Sequence, residues 1–172
     1  DGENVLEPTT DVVASPPFVT LQPKTNYTIR LVRQAEGGVE REQAYRLIVD
    51  QLPETPNGKG PVIGFTLRHS VPVFVRTGGA SKAALNWRVE RGGSGLVVTA
   101  TNNGDRTARL TDIKMASGSV KFDVQAGLAG YILPGQSMSW KKPAPKGFAG
   151  GPVKISARNE TETINARVEV VP

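Results

Sequence analysis

Residues 62–76 read Val-Ile-Gly-Phe-Thr-Leu-Arg-His-Ser-Val-Pro-Val-Phe-Val-Arg. The odd positions are Ile63, Phe65, Leu67, His69, Val71, Val73 and Val75, and six of these seven are apolar. The even positions include Gly64, Thr66, Arg68, Ser70 and Arg76. A period of two sets one apolar face on an extended chain, so the stretch predicts one long β-strand. It exceeds the usual strand length of about five or six residues. It also leaves a loop rich in Pro and Gly, Pro53 to Pro61. A long apolar strand beside such a loop invites unwanted pairing unless something covers it. Whether the cover is the chain's own sheet or a partner decides the function.

Composition narrows the surroundings of that strand. The 172 residues allow one domain or two small ones. Nineteen Gly and thirteen Pro recur as turn signals at short intervals, with no sustained helical period, which predicts an all-β chain. No Cys is present, so no disulfide framework holds the fold. No apolar run approaches the roughly 20 residues of a membrane-spanning helix, and no direct membrane insertion is expected. The net charge is +5, but Lys and Arg are spread over the strands without a cluster, so nucleic acid is not expected as a partner.

Alternation marks further strands. Before the long strand, Tyr27, Ile29 and Leu31 predict one, and Tyr45, Leu47 and Val49 another. Thr77-Gly78-Gly79-Ala80-Ser81 reads as a linker, after which the pattern restarts. Leu85 to Val89, Leu96 to Ala100, Ala108 to Met115, Val120 to Val124 and a stretch through Met138 and Trp140 each predict a strand. Val153, Ile155 and Ala157 are expected to pair with Ile164, Ala166, Val168 and Val170 across a hairpin at residues 158–162. Gly92 to Gly95 and Asn102-Asn103-Gly104-Asp105 read as tight turns. Residues 79–172 thus hold about seven strands, the content of an immunoglobulin-like sandwich. Residues 1–77 hold only about four, too few for a closed sandwich. A weak echo links Leu21-Gln22-Pro23-Lys24 with Leu133-Pro134-Gly135-Gln136, each preceding a strand, as two domains of one kind would give. The expectation is therefore two immunoglobulin-like β-sandwich domains, residues 1–77 and 78–172, the first lacking its N-terminal strands.

The order of these features resembles the periplasmic pilus-assembly chaperones of the chaperone–usher pathway. The matching runs are Pro16 to Pro23, Tyr27 to Arg33, Arg41-Glu42 with Tyr45 to Pro53, the strand ending Val73-Phe74-Val75-Arg76, and Trp87 with Thr99 to Gly104. The form Ser70 to Val75 is most similar to the archaic branch. The resemblance implies that the long strand is lent to incomplete pilin subunits, which are then delivered to an outer-membrane usher. Pairing of this kind draws affinity from main-chain bonds and specificity from alternate side chains. Ile63, Phe65 and Leu67 would be the donated side chains, while Val71 and Val73 would serve the chaperone's own core.

The family also anchors a subunit's terminal carboxylate with two basic residues, one of them a Lys on this strand. Pro72 occupies the matching position here, so Arg68 and His69 are the nearest basic candidates. Glu42 and Arg76 match two members of a charged set that fixes the family's domains. The usual third member, an Asp, has no counterpart in Lys146 to Pro152.

An enzyme is not expected, nor a cofactor. There is one His, no Cys, and no His or carboxylate spacing that suits a metal. Gly92 to Gly95 lacks the Lys and helix that would make it a phosphate loop. The alternative is a structural or adhesive cell-surface protein with tandem immunoglobulin-like domains. That reading buries Ile63, Phe65 and Leu67 internally, whereas a chaperone leaves them accessible.

Overall fold

The computed structural model describes residues 5–53, 63–76, 82–93, 95–160 and 162–172. Most of the Pro/Gly loop and the whole linker at 77–81 lie outside the described residues. Eleven strands and no helix are present among the described residues, as the turn-rich composition predicts. By packing, the chain divides into one unit reaching to Gly38 and a second, Val39–Pro172.

The first unit holds β1 (Val12–Ser15) and β2 (Arg30–Arg33), paired antiparallel with Val13 opposite Val32. β2 begins later than the alternation from Tyr27 suggests. A turn at Gln22 to Thr25 precedes it, closed by the Thr25 N–H on the Gln22 carbonyl at 3.2 Å, with Lys24 at φ 61°.

The second unit begins with β3 (Gln43–Asp50) and β4 (Arg68–Val75), an antiparallel pair from Gln43–Val75 to Asp50–Arg68. It continues with β5 (Leu85–Gly92), β6 (Gly95–Asn102), β7 (Ala108–Ser117), β8 (Val120–Ile132), β9 (Ser137–Pro143), β10 (Pro152–Arg158) and β11 (Thr163–Val171). These seven pair in the order β8-β7-β10-β11-β5-β6-β9. β11 runs antiparallel to β10 and then, at Val170 and Val171, parallel to β5, so one strand joins two layers. The layers enclose a core of alternate side chains: Val89, Val98, Leu110, Ile113, Met115, Val124, Val153 and Ile155 are all essentially inaccessible. Trp87 of β5 and Trp140 of β9, on either side of β6 in one layer, stack with centroids 6.2 Å apart. The expected β10–β11 hairpin is present, with Ile155 opposite Ala166.

Two turns differ in kind. β5 and β6 meet at Gly92 and Gly95 with Gly93 at φ 57°, a hairpin as expected. The Asn-Asn-Gly-Asp turn instead carries the chain between layers, since β6 pairs with β5 and β9 while β7 pairs with β8 and β10. Asn102 is fully buried there. Its Oδ1 accepts from the Ala84 and Gly104 N–H groups at 3.1 and 3.0 Å. Its Nδ2 donates to the Arg106 and Ile132 carbonyls at 2.7 and 2.9 Å. Gly104 is needed for close approach rather than for positive φ, because a Cβ would strike the backbone of Lys82 and Ala84.

Candidate functional site

The long stretch that opens the sequence divides at Arg68. From Arg68 to Val75 it is strand β4; from Ile63 to Leu67 it is not assigned to a strand. One bond extends the ladder, from the Gln51 N–H to the Leu67 carbonyl at 2.9 Å. The single strand expected over the whole stretch is therefore shorter, because β3 ends at Asp50 and supplies no partner further on.

Ile63, Phe65 and Leu67 are 85%, 86% and 60% exposed. Such side chains ordinarily go inside, and three in a row at alternate positions make a ribbon of apolar surface. Among the described strands β4 pairs only with β3, which leaves its second edge without a strand partner. Its N–H and C=O groups on that side are therefore open to another chain. Val71 is 45% exposed, so the more buried half of β4 begins only at Pro72. Phe74 contributes there, its ring 5.7 Å from that of Tyr131.

The two candidate carboxylate anchors are placed differently. Arg68 lies opposite Asp50 in the ladder and forks onto its carboxylate, with Nε–Oδ1 at 2.6 Å and a second bond at 2.8 Å. The hydrogen bond from Arg68, with its charge, holds the Asp50 carboxyl below the usual aspartate range. Its guanidinium is thus already engaged by a carboxylate of its own chain. His69, opposite Val49, is exposed and carries no side-chain hydrogen bond or ion pair among the described residues.

Glu42 and Arg76 flank the far end of the same ladder, since Gln43 and Val75 are its last pair. The Arg76 guanidinium stands 4.0 Å from the Glu42 carboxylate, whose side chain is only 4% exposed. A nearer partner occupies the other oxygen: the Thr107 N–H donates to Glu42 Oε1 at 2.8 Å. The Glu42 N–H in turn donates to the Asp105 carbonyl at 3.0 Å. A loop before β3 is thereby fastened to the turn before β7 by two short bonds. Sequence reasoning missed Thr107, because a backbone donor leaves no signature in residue type. Beside it opens a cleft of about 260 Å3, bordered by Arg76, Arg106, Arg109, Tyr131 and Glu160. Arg106 pairs with Glu160 at 3.5 Å. Arg109 has no ion-pair partner among the described residues. No cluster among the described residues suits a metal ion.

Comparison with known proteins adds to this geometry. Residues 2–79 match the model of the family described as pili and flagellar-assembly chaperone, PapD N-terminal domain. No curated protein matches the chain. Among solved structures, the YadV chaperone is similar over 94% of this chain and 79% of its own, at 17% identity and a TM-score of 0.66. A complex of the CsuC chaperone with the CsuE tip adhesion subunit, from the archaic chaperone–usher Csu pili of Acinetobacter baumannii, covers 95% of this chain and 75% of its own. Its identity is 24% and its TM-score 0.59. The CupB2 chaperone of Pseudomonas aeruginosa covers 99% of this chain and 81% of its own, at 14% identity and a TM-score of 0.61. Residues 2–79 thus match the family's N-terminal domain, and nearly the whole length shares the fold of these chaperones, an all-β fold of two immunoglobulin-like domains.

Proposed function

We propose that this protein works in the periplasm, capping pilin subunits by lending them residues 63–67 and then delivering them to an outer-membrane usher. The observation that carries the reading is the ribbon of Ile63, Phe65 and Leu67, exposed at alternate positions beside a β4 edge that has no strand partner among the described residues. A subunit missing one strand would pair with that edge and take the three side chains into its own groove. Their burial supplies on the order of 5–8 kcal/mol before ordering costs. The same exposure speaks against the tandem adhesive reading, which needs these side chains inside. The known pairing of the related CsuC chaperone with a tip adhesion subunit is consistent with the choice of partner. The details of the match to Ser70–Val75 favour the archaic branch.

For the subunit's terminal carboxylate, Arg68 and His69 are the candidates on the donor strand itself. A carboxylate reaching Arg68 has to displace Asp50, whereas His69 is open. Arg109, in the cleft beside Glu42 and Arg76 and without an ion-pair partner among the described residues, is a further basic group for this role. Glu42 and Arg76 serve to hold the end of the β3–β4 ladder in place.

Co-expression with a pilin subunit tests the reading. Leu67→Glu should abolish co-purification of the subunit while the circular dichroism of the protein stays unchanged. Undiminished subunit recovery would remove the donor assignment. Arg68→Ala should weaken capture more than Arg91→Ala, since Arg91 lies over the Phe148 ring and off the donor strand. Equal effects of the two would remove Arg68 from the anchoring role.

A further inference from the structure

The outer face of one layer of the second sandwich carries a feature that donor-strand pairing does not use. On β7, β8, β10 and β11, Met115, Phe122, Ile155 and Ala166 turn to the core. Their neighbours along each strand therefore turn outward. In register, Lys121, Ala116, Lys154 and Arg167 form one row across the four strands. Asp123, Lys114, Ser156 and Asn165 form the next. The small side chains of Ala116 and Ser156 are part-buried, whereas the four cations are exposed. The result is a trough of about 830 Å3 with a floor of small residues and walls of Lys and Arg.

Its charge is unspent. Four cations less one carboxylate, Asp123, give the lining +3, against +5 for the entire chain. None of the four cations forms an ion pair or a side-chain hydrogen bond among the described residues, and Asp123, opposite Lys114 in register, pairs with none of them. Elsewhere on the surface Arg68, Arg88 and Arg106 each have a carboxylate within 4 Å. Open cations around a concave floor are arranged for an anionic partner.

We infer that this trough binds an extended acidic segment of polypeptide. Four strands about 4.8 Å apart span roughly 14 Å, room for one extended chain with its side chains. The two rows lie two residues apart along the strands, roughly 6.7 Å, which is also the spacing of alternate side chains on an extended peptide. Carboxylates at alternate positions thus meet Lys114 in one row and Lys121, Lys154 and Arg167 in the other. A flat lipid surface does not enter a hollow. No aromatic ring stands on this face to stack bases, since Phe122 turns inward against Phe148 at 6.2 Å. The trough shares no residue with the donor segment.

Fluorescence polarisation with a labelled peptide of alternating Glu and Ser tests this at 50 mM salt, beside a Lys–Ser peptide, an oligo-dT of equal charge and vesicles containing phosphatidylglycerol. The acidic peptide should bind, and the Lys–Ser peptide should not. Lys154→Glu with Arg167→Glu should weaken binding ~10-fold or more, and the neutral Lys154→Gln with Arg167→Gln should weaken it less. Lys141→Glu, on the exposed face of β9 in the other layer, should leave it within ~2-fold. Unaltered thermal midpoints confirm that the variants fold, and if the reversed pair does not, the neutral pair decides alone. Absence of binding, or equal loss in the Lys141 variant, overturns the proposal. So does tighter binding of oligo-dT or vesicles with the same dependence on Lys154 and Arg167.

Discussion

Replacing Glu42 separates two ways in which one carboxylate can hold a loop in place. Its side chain is nearly inaccessible, accepts the Thr107 N–H at 2.8 Å, and lies 4.0 Å from a guanidinium that is itself half exposed. A hydrogen bond to an ionised acceptor contributes about 1.5–3 kcal/mol. A long ion pair with one exposed partner contributes below about 1 kcal/mol. Glu42→Ala removes both and should cost about 2–3 kcal/mol. Glu42→Gln keeps an oxygen for the Thr107 N–H and should cost about 1 kcal/mol, as should Arg76→Ala. For a chain of this size each kcal/mol moves the thermal midpoint by about 2–4 °C, so the Ala variant should melt about 5–10 °C lower. Hydrogen exchange gives the direct readout: the Thr107 amide should exchange faster in Glu42→Ala and stay protected in Glu42→Gln and Arg76→Ala. If Arg76→Ala matches Glu42→Ala in both midpoint and Thr107 exchange, the ion pair rather than the backbone bond is the fastening and the reasoning fails.

Three further outcomes follow from the local geometry. Asn102→Ala should destabilise by about 3 kcal/mol or more, because it orphans buried partners on both sides of the turn, and Asn102→Asp should be no better, since a carboxylate faces the Arg106 and Ile132 carbonyls; chemical unfolding of the two variants checks the ranking. Gly104→Ala should cost at least about 2 kcal/mol, because the Cβ meets backbone that cannot step aside, whereas Gly37→Ala, open on all sides but at φ 84°, should cost about 1 kcal/mol by thermal unfolding. The Asp50 carboxyl should titrate below the ordinary aspartate value of about 3.9 by NMR and return toward it in Arg68→Ala. Its pKa being depressed in the fold, the pair's contribution to stability is present above about pH 4 and is lost as the pH falls through the lowered value. An unchanged Asp50 midpoint in Arg68→Ala would contradict the fork.

What the sequence made legible was whatever depends on side-chain periodicity. The alternation from Leu85 onward marks the seven strands of the second sandwich, and the pairing of β10 with β11 follows from two apolar sets facing a short polar turn. Strand partners that are not sequence neighbours were not legible: Asn102 to Asp105 read as a tight turn, and nothing in it told that the chain crosses between layers there. Its motive is a buried amide with four bonds, and an Asn suited to a surface turn looks the same in sequence. The echo between Leu21 to Lys24 and Leu133 to Gln136 has a physical counterpart. Both become turns closed over four residues, with Pro second and a left-handed residue third, Lys24 at φ 61° and Gly135 at φ 75°. Arg68 was found by type but not by partner: it meets Asp50 because register sets them opposite, and register follows from where β3 and β4 begin.

The same register explains why the opening stretch has two halves. A period of two says which face of an extended chain is apolar, but not how far a neighbour accompanies it. β3 runs out at Asp50, so the ladder ends at Arg68 with one more bond at Leu67. Beyond it the apolar positions continue with no strand among the described residues to cover them. A residue such as Leu67, at the last bond and 60% exposed, stands where the two halves meet. Changing it to Glu leaves the Gln51 N–H to Leu67 C=O bond intact, since that bond is made by backbone, and touches only the apolar ribbon. A loss of partner binding without a loss of fold at Leu67 therefore isolates the ribbon's chemistry. The same change at Val73, part-buried and inside the ladder opposite Tyr45, should instead destabilise the protein itself. Denaturant midpoints of the two variants should differ accordingly, with Leu67→Glu near the parent and Val73→Glu lower by an amount worth about 2 kcal/mol. Equal midpoints would mean that the boundary between lent and retained residues is not at Arg68.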